Sequence, residues 1–143
     1  LAIAPVGAAI AVSGRFVPSS FVLAAGVLTW TAGFDILYSL QDVEFDRERA
    51  LFSIPVALGP ARALVSARVL HALAIGFFAA FGIVGGFGWI YFAGTTAALA
   101  LVVWQHAIVS PTDISRIDAA FFTANGILSI VLFVCGAADI LLR

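Results

Sequence analysis

Charged side chains are concentrated in one short stretch of this chain, residues 35–49, where aspartates recur at regular spacing. Asp42 follows Asp35 by seven residues, Asp46 follows Asp42 by four, and Tyr38 lies between the first two. Residues three or four apart lie on the same face of an α-helix. If the helix is continuous here, these four side chains and Arg49 form a single stripe.

Three carboxylates on one stripe would repel each other, and the two arginines nearby, Arg47 and Arg49, are too few to neutralise them. Carboxylate oxygens suit a hard cation, and Mg²⁺ usually takes only one or two of them while water and phosphate oxygens fill its other positions. The charge pattern therefore predicts a Mg²⁺ ion that bridges to a diphosphate. The alternative, a solvated loop of mixed charge, suits Glu44 and Glu48, which lie off the stripe.

The composition indicates that this stripe belongs to an integral membrane protein. Hydrophobic residues make up 63% of the chain and charged residues 10%, and the mean hydropathy is +1.14. Residues 72–105 and 119–138 contain no charged side chain and reach the length that a membrane-crossing helix needs. Because apolar segments recur to the end of the chain, a lone signal peptide is excluded. We predict an all-α, polytopic transmembrane helical bundle in contact with the lipid bilayer.

Polar residues, glycines and prolines divide the chain into five apolar segments, roughly 1–13, 18–40, 62–84, 88–110 and 118–142. The first begins inside an apolar run and is expected to be a truncated span. The connection 41–61 is the longest and most polar, so function should concentrate there. Alternating the spans places most arginines on its side, which predicts a cytoplasmic connection, in a bacterial inner membrane. No basic face is present, which excludes nucleic acid as a partner.

Five polar or reactive residues within the spans are expected to have structural roles. Arg68 should extend towards the cytoplasmic interface, while His71, His106 and Asn125 should form hydrogen bonds between helices. Cys135 is the only cysteine, and in an apolar segment it is expected to be a packing residue. Asp35 differs from these, because it follows a long uncharged run and needs a partner or a wet cavity at that depth.

At this point the residues resemble the UbiA family of intramembrane aromatic prenyltransferases, whose second aspartate motif reads broadly D-x-x-Y-x-x-x-D-x-x-x-D, followed by a Ser and a Gly. The matching positions are Asp35, Tyr38, Asp42, Asp46, Ser53 and Gly59. Softer similarity extends over the whole chain, including residues 4–8, 53–55 and 121–126. Members of the family resemble a ring of nine transmembrane helices with two aspartate motifs facing a central cavity.

The first family motif, N-D-x-x-D-x-x-x-D, is absent from this sequence. The resemblance therefore implies that residues 1–143 are the C-terminal part of a UbiA-like domain, about five of nine spans, with 41–61 as its active-site connection. The missing N-terminal half of the same protein becomes an expected partner. By this argument the chain alone should be inactive.

The resemblance also implies an activity, the Mg²⁺-dependent transfer of a polyprenyl group from polyprenyl diphosphate to a hydroxylated aromatic acid in quinone biosynthesis. The local sequence is most similar to the branch that acts on 4-hydroxybenzoate, of the ubiquinone route. The implied roles are metal binding by Asp42 and Asp46 and diphosphate binding by Arg47, Arg49 and Ser53. Asp35 and Tyr38, deeper in the membrane, would be catalytic residues that stabilise positive charge or orient the acceptor.

Two departures from the family pattern affect the cationic side of the site. Family members often carry Gly at the position of Ala50 and a basic residue or His at that of Phe52.

Prenylation of a naphthoate in menaquinone biosynthesis is an alternative with nearly the same residues. A transporter with a cytoplasmic ion site is an alternative of another class, but it has no evident need for this motif. A structural assembly subunit, with Asp35 paired internally, is a third alternative that a mutation test separates.

Overall fold

The computed structural model describes residues 1–142, which fold into a bundle of helices. The α-helices are α1 (Ala4–Ser13), α2 (Pro18–Tyr38), α3 (Val43–Glu48), α4 (Ile54–Leu58), α5 (Pro60–Val84), α6 (Trp89–Ala107) and α7 (Ala124–Leu141). A 3₁₀ turn at Ser39–Asp42 joins α2 to α3, and a π-helical turn at Ala119–Thr123 leads into α7. The predicted segments agree with these elements to within three residues at each described end. The all-α prediction is confirmed.

Four helical stretches, Pro18–Glu48, Pro60–Val84, Trp89–Ala107 and Ala119–Leu141, are long and apolar enough to cross a membrane. The chain is therefore an integral membrane protein, as predicted. The remaining predicted segment, which was expected to be a truncated span, is the shorter apolar helix α1. Helix α1 has ten residues, or about 15 Å, which is shorter than the roughly 30 Å hydrocarbon layer.

Prolines and glycines set the ends of the long helices. Pro18 and Pro60 occupy first-turn positions of α2 and α5, where a missing N–H costs no hydrogen bond. Gly59 precedes α5 with φ of 82°, and Gly86 has φ of 67° in the break between α5 and α6. The predicted interruption near residues 85–88 is thus confirmed, because α6 begins at Trp89.

Helix α2 packs along α5, and its glycines allow a close approach. A β-carbon at Gly26 would lie 2.7 Å from Cε1 of Phe78, and one at Gly33 would lie 2.5 Å from Cδ2 and Nε2 of His71. Small residues at helix interfaces permit this kind of contact within membranes. The two glycines thus bring the aspartate-bearing end of α2 tightly against α5.

Helix α6 packs along α7 in a second pair. Cys135 contacts Gly94, where a β-carbon would lie 2.6 Å from its own, so its predicted packing role is confirmed. Asp139, near the end of α7, accepts hydrogen bonds from the N–H groups of Gly88 at 2.7 Å and Tyr91 at 3.4 Å. A side chain of one helix therefore caps the start of the other.

The predicted helix-to-helix hydrogen bonds of the isolated polar residues are also confirmed. Nδ1 of His71 lies 2.9 Å from Nε2 of His106 and 3.0 Å from Nε2 of Gln105, linking α5 to α6. Nε1 of Trp30 donates to Oδ1 of Asn125 at 3.2 Å, linking α2 to α7. These bonds fix the rotation of α5 relative to α6 and of α2 relative to α7.

Candidate active site

The aspartate motif begins in the last turn of α2 and continues through the 3₁₀ turn into α3. A 3₁₀ turn advances about 120° per residue and an α-helix about 100°, so four such residues add roughly 80° of rotation. The prediction that Asp35, Tyr38, Asp42, Asp46 and Arg49 form one straight stripe is therefore corrected. Helical winding continues to Glu48, but the end of the stripe is twisted relative to Asp35.

The three motif carboxylates are open to ligands. Asp35 and Asp42 are exposed and Asp46 is half-buried. Within residues 1–142, none of the three accepts a side-chain hydrogen bond, and Asp42 does not use its carboxylate to cap α3 although it stands at the N-cap. Their negative charge is thus left for an external cation.

The same described residues contain no group of three or more His, Cys, Asp or Glu side chains that could hold a metal ion. A Mg²⁺ ion needs only one or two carboxylates when phosphate oxygens and water supply its other ligands. Asp42 and Asp46, without competing hydrogen bonds, fit that requirement as one part of a coordination shell. The donor set is consistent with Mg²⁺ bound together with a phosphorylated ligand.

Asp35 opens onto a cavity of about 480 Å³ between α2, α5 and α7. Trp30, Phe34 and Phe121 contribute aromatic surface to its wall, and Asn125 contributes a polar group. Asp35 is the one charged side chain among the described residues that line it. Ligand pockets typically have this size and combine apolar walls with a few placed polar groups.

Tyr38 lies next to the aromatic side chains of the π-helical turn. Its ring centroid is 4.6 Å from that of Phe121 and 6.2 Å from that of Phe122, and Phe34 also contacts Phe121 at 5.4 Å. Such distances are favourable for aromatic pairs. Single π-helical turns often occur at functional sites, and this one brings the start of α7 to the motif.

A second layer holds the aromatic wall in place. The His71 ring is fully buried, with its centroid 4.8 Å from that of Trp30 and 4.9 Å from that of Phe34. Because His71 is also bound to α6, it transmits the position of that helix to the cavity. Sequence analysis assigned His71 a structural bond but did not place it behind the site.

The residues predicted to bind diphosphate occupy separate places. The guanidinium carbon of Arg49 lies 5.4 Å from the ring centroid of Phe45, a cation–π contact. Arg47 lines a different crevice, of about 440 Å³, together with Thr112 of the connection between α6 and the π-helical turn. The hydroxyl of Ser53 is buried and has no hydrogen-bond partner in the described chain.

Two neighbouring residues mark the departures from the family pattern. Ala50 has φ of 51°, a left-handed conformation that favours glycine. The side chain of Phe52 is 99% exposed, so the position that often carries a basic residue projects fully from the described structure. The backbone geometry thus gives a physical reason for glycine at the position of Ala50.

The connection 108–118 completes this side of the molecule. Its Asp113 carboxylate accepts a hydrogen bond from the N–H of Ser115 at 3.0 Å. Hydrogen bonds from Ser115, aided by the charge of Arg116, hold the pKa of Asp113 below its ordinary value. The carboxylate of Asp113 is therefore ionised at neutral pH.

Comparison with known proteins decides which family carries this arrangement. The model of the UbiA prenyltransferase family matches residues 1–127. The chain belongs to the UbiA prenyltransferase family. A 4-hydroxybenzoate octaprenyltransferase of Aromatoleum aromaticum is 29% identical over 136 residues, which cover 94% of this chain and 45% of that relative. No solved structure matches the chain significantly.

Membership of the UbiA family confirms the resemblance that the aspartate motif carried. It also assigns the chain to a family of membrane prenyltransferases, so the transporter and assembly-subunit alternatives are set aside. The chain spans less than half the length of the 4-hydroxybenzoate octaprenyltransferase that it matches.

Proposed function

We propose that this chain forms the second-motif part of an aromatic polyprenyltransferase that joins a polyprenyl group to a hydroxylated aromatic acid of the 4-hydroxybenzoate type. The observation that carries the proposal is the cavity beside the motif, where Asp35 is the one charged side chain among the described lining residues and several others are aromatic. The A. aromaticum relative, named for 4-hydroxybenzoate, supports this choice of acceptor over a naphthoate.

In the proposed reaction the allylic carbon–oxygen bond of the polyprenyl diphosphate breaks and the diphosphate departs with the bonding electrons. A ring carbon of the acceptor forms the new carbon–carbon bond and then loses its proton. Asp35 faces the cavity where the positive charge develops, and its carboxylate would stabilise that charge. Apolar walls would keep water from the reactive cation, and Tyr38, whose ring contacts Phe121, would orient the acceptor ring.

The diphosphate end of the substrate would lie at Asp42 and Asp46. UbiA enzymes typically use Mg²⁺, which would neutralise the negative charge that builds on the departing diphosphate. The two aspartates would hold the metal from the protein side, and Arg49, steadied by Phe45, would contact phosphate oxygens. Arg47 and Ser53 would make further contacts with the diphosphate.

The decisive experiment replaces Asp42 by Asn in the full-length enzyme and measures Mg²⁺-dependent transfer of a polyprenyl group to 4-hydroxybenzoate. Losing a metal ligand should lower the rate by about 100-fold or more, because charge stabilisation in the transition state is lost. Glu48→Gln is the matched control, since Glu48 is exposed and lies off the motif positions. Transfer that survives Asp42→Asn at the control rate would refute the metal-ligand role.

The acceptor is tested in the same membranes by supplying 4-hydroxybenzoate or a hydroxynaphthoate with the same polyprenyl diphosphate. The proposal expects prenylated 4-hydroxybenzoate as the main product. If only the naphthoate is prenylated, the proposed acceptor is wrong. The metal-ligand result would still stand, so the two conclusions are tested separately.

A further inference from the structure

Arg68 is a cation on an exposed face of α5, without an anionic partner among the described residues. It is the only charged residue between Arg62 and Asp113 in the sequence, and its side chain is exposed eight residues after the start of α5. Charged residues within transmembrane helices normally face the interior of the bundle or pair with an opposite charge. Arg68 does neither within residues 1–142, so its counter-ion should come from outside the described chain.

The surroundings of Arg68 form a groove between α5 and α6. It has a volume of about 410 Å³, and its wall is otherwise apolar except for His106 at the same end; no acidic side chain is among its lining residues. Leu99 lies seven residues before His106, so the groove follows α6 for about 10 Å. One end is therefore cationic and the remainder is shaped for a hydrocarbon chain.

The cationic end lies on the motif side, meaning the side of the membrane that carries residues 39–58. Helix α5 begins and α6 ends on that side, and helical side chains tilt towards the N-terminus, so Arg68 is directed to that surface. Trp104, 42% exposed near the end of α6, is typical of a residue at the lipid headgroup level. The guanidinium is thus directed towards the headgroup layer on the motif side.

We propose that this groove binds an anionic phospholipid of the motif-side leaflet, with Arg68 contacting its phosphate and the α5–α6 groove holding one acyl chain. His106 is a wall of the site rather than a phosphate ligand, because its Nε2 is engaged with His71 and its Nδ1 is buried. Basic pockets between transmembrane helices bind anionic headgroups in this way. The site lies outside the Asp35 cavity and does not depend on the proposed catalytic activity.

The test uses the purified full-length protein in detergent, with thermal unfolding followed as phosphatidylglycerol or phosphatidylcholine is added. Wild type should bind phosphatidylglycerol about fivefold more tightly than phosphatidylcholine, the preference expected from one basic side chain at an anionic headgroup. Arg68→Gln should remove the preference. The matched control, Arg62→Gln, should retain it, because Arg62 does not line the groove.

A second variant examines the acyl half of the site and keeps the test decisive if Arg68→Gln fails to fold. Ala72→Phe fills the groove without changing charge, and it should weaken phosphatidylglycerol binding although Arg68 remains. The proposal is wrong if Ala72→Phe binds this lipid as wild type does, or if a folded Arg68→Gln keeps the preference. It is also wrong if inorganic phosphate stabilises wild type as strongly as the lipid does.

Discussion

Adding one methyl group at Gly33 should disturb the support of the active-site wall. The new β-carbon of Gly33→Ala would lie 2.5 Å from two atoms of the His71 ring, about 1 Å less than the roughly 3.5–4.0 Å at which such atoms pack well. The ring has little freedom to retreat, because it is fully buried between Trp30 and Phe34 and is held by His106 at 2.9 Å. Overpacking of this kind costs about 1–3 kcal/mol.

Gly76→Ala is the matched control, since Gly76 lies within α5 and a β-carbon there meets nothing within 4 Å. Both substitutions gain the same helix propensity, about 1 kcal/mol, so this gain cancels in the comparison. The free energy of unfolding of Gly33→Ala should therefore be about 1–3 kcal/mol lower than that of Gly76→Ala. The assay is equilibrium unfolding of the purified full-length protein in detergent, with polyprenyl transfer measured alongside.

A double substitution provides the refutation. In a His71→Ala background the ring is gone, and Gly33→Ala should lose its penalty, which appears as a coupling free energy between the two sites. If Gly33→Ala is as stable as Gly76→Ala, or if its penalty persists without the His71 ring, the close contact between α2 and α5 does not act as described.

Two further predictions concern the ends of helices. Asp139→Ala leaves the N–H groups of Gly88 and Tyr91 without their carboxylate and should lower the free energy of unfolding by about 1–3 kcal/mol. Asp139→Asn keeps a hydrogen-bond acceptor, so its loss of stability should be smaller. Equal losses for the two variants would contradict the capping role. Ala50→Gly should raise stability by about 0.5–1 kcal/mol, because the left-handed strain of alanine exceeds the entropic cost of glycine; a lower unfolding midpoint would contradict it.

Part of the cavity wall on α2 could have been found by extending one helical periodicity. Leu23, Val27 and Thr31 precede Asp35 at steps of four residues, and all of them line the cavity. From the sequence alone these positions could not be told apart from other lipid-facing residues, because uncharged positions of an apolar span carry no distinguishing chemistry. Phe121 and Asn125 fell within a segment noted for similarity, but nothing local indicated that they meet Trp30 and Tyr38.

The sequence by itself determined the membrane class, the helix ends and the residues that bear the motif. Membrane insertion depends on the hydropathy of each segment, and helix ends depend on nearby prolines and glycines. Both can therefore be predicted from local sequence. The spacing of Asp35, Tyr38, Asp42 and Asp46 likewise pointed to the UbiA family before any contact was known.

Only the tertiary structure decided how these residues are oriented. The 3₁₀ turn at Ser39–Asp42 rotates Asp42 and Asp46 away from a single face shared with Asp35. Packing of α2 against α5 places His71 behind Phe34. Contacts such as Trp30 with Asn125, 95 residues apart, depend on how whole helices dock. Docking is set by the fit of many side chains at once, which local patterns along the chain do not encode.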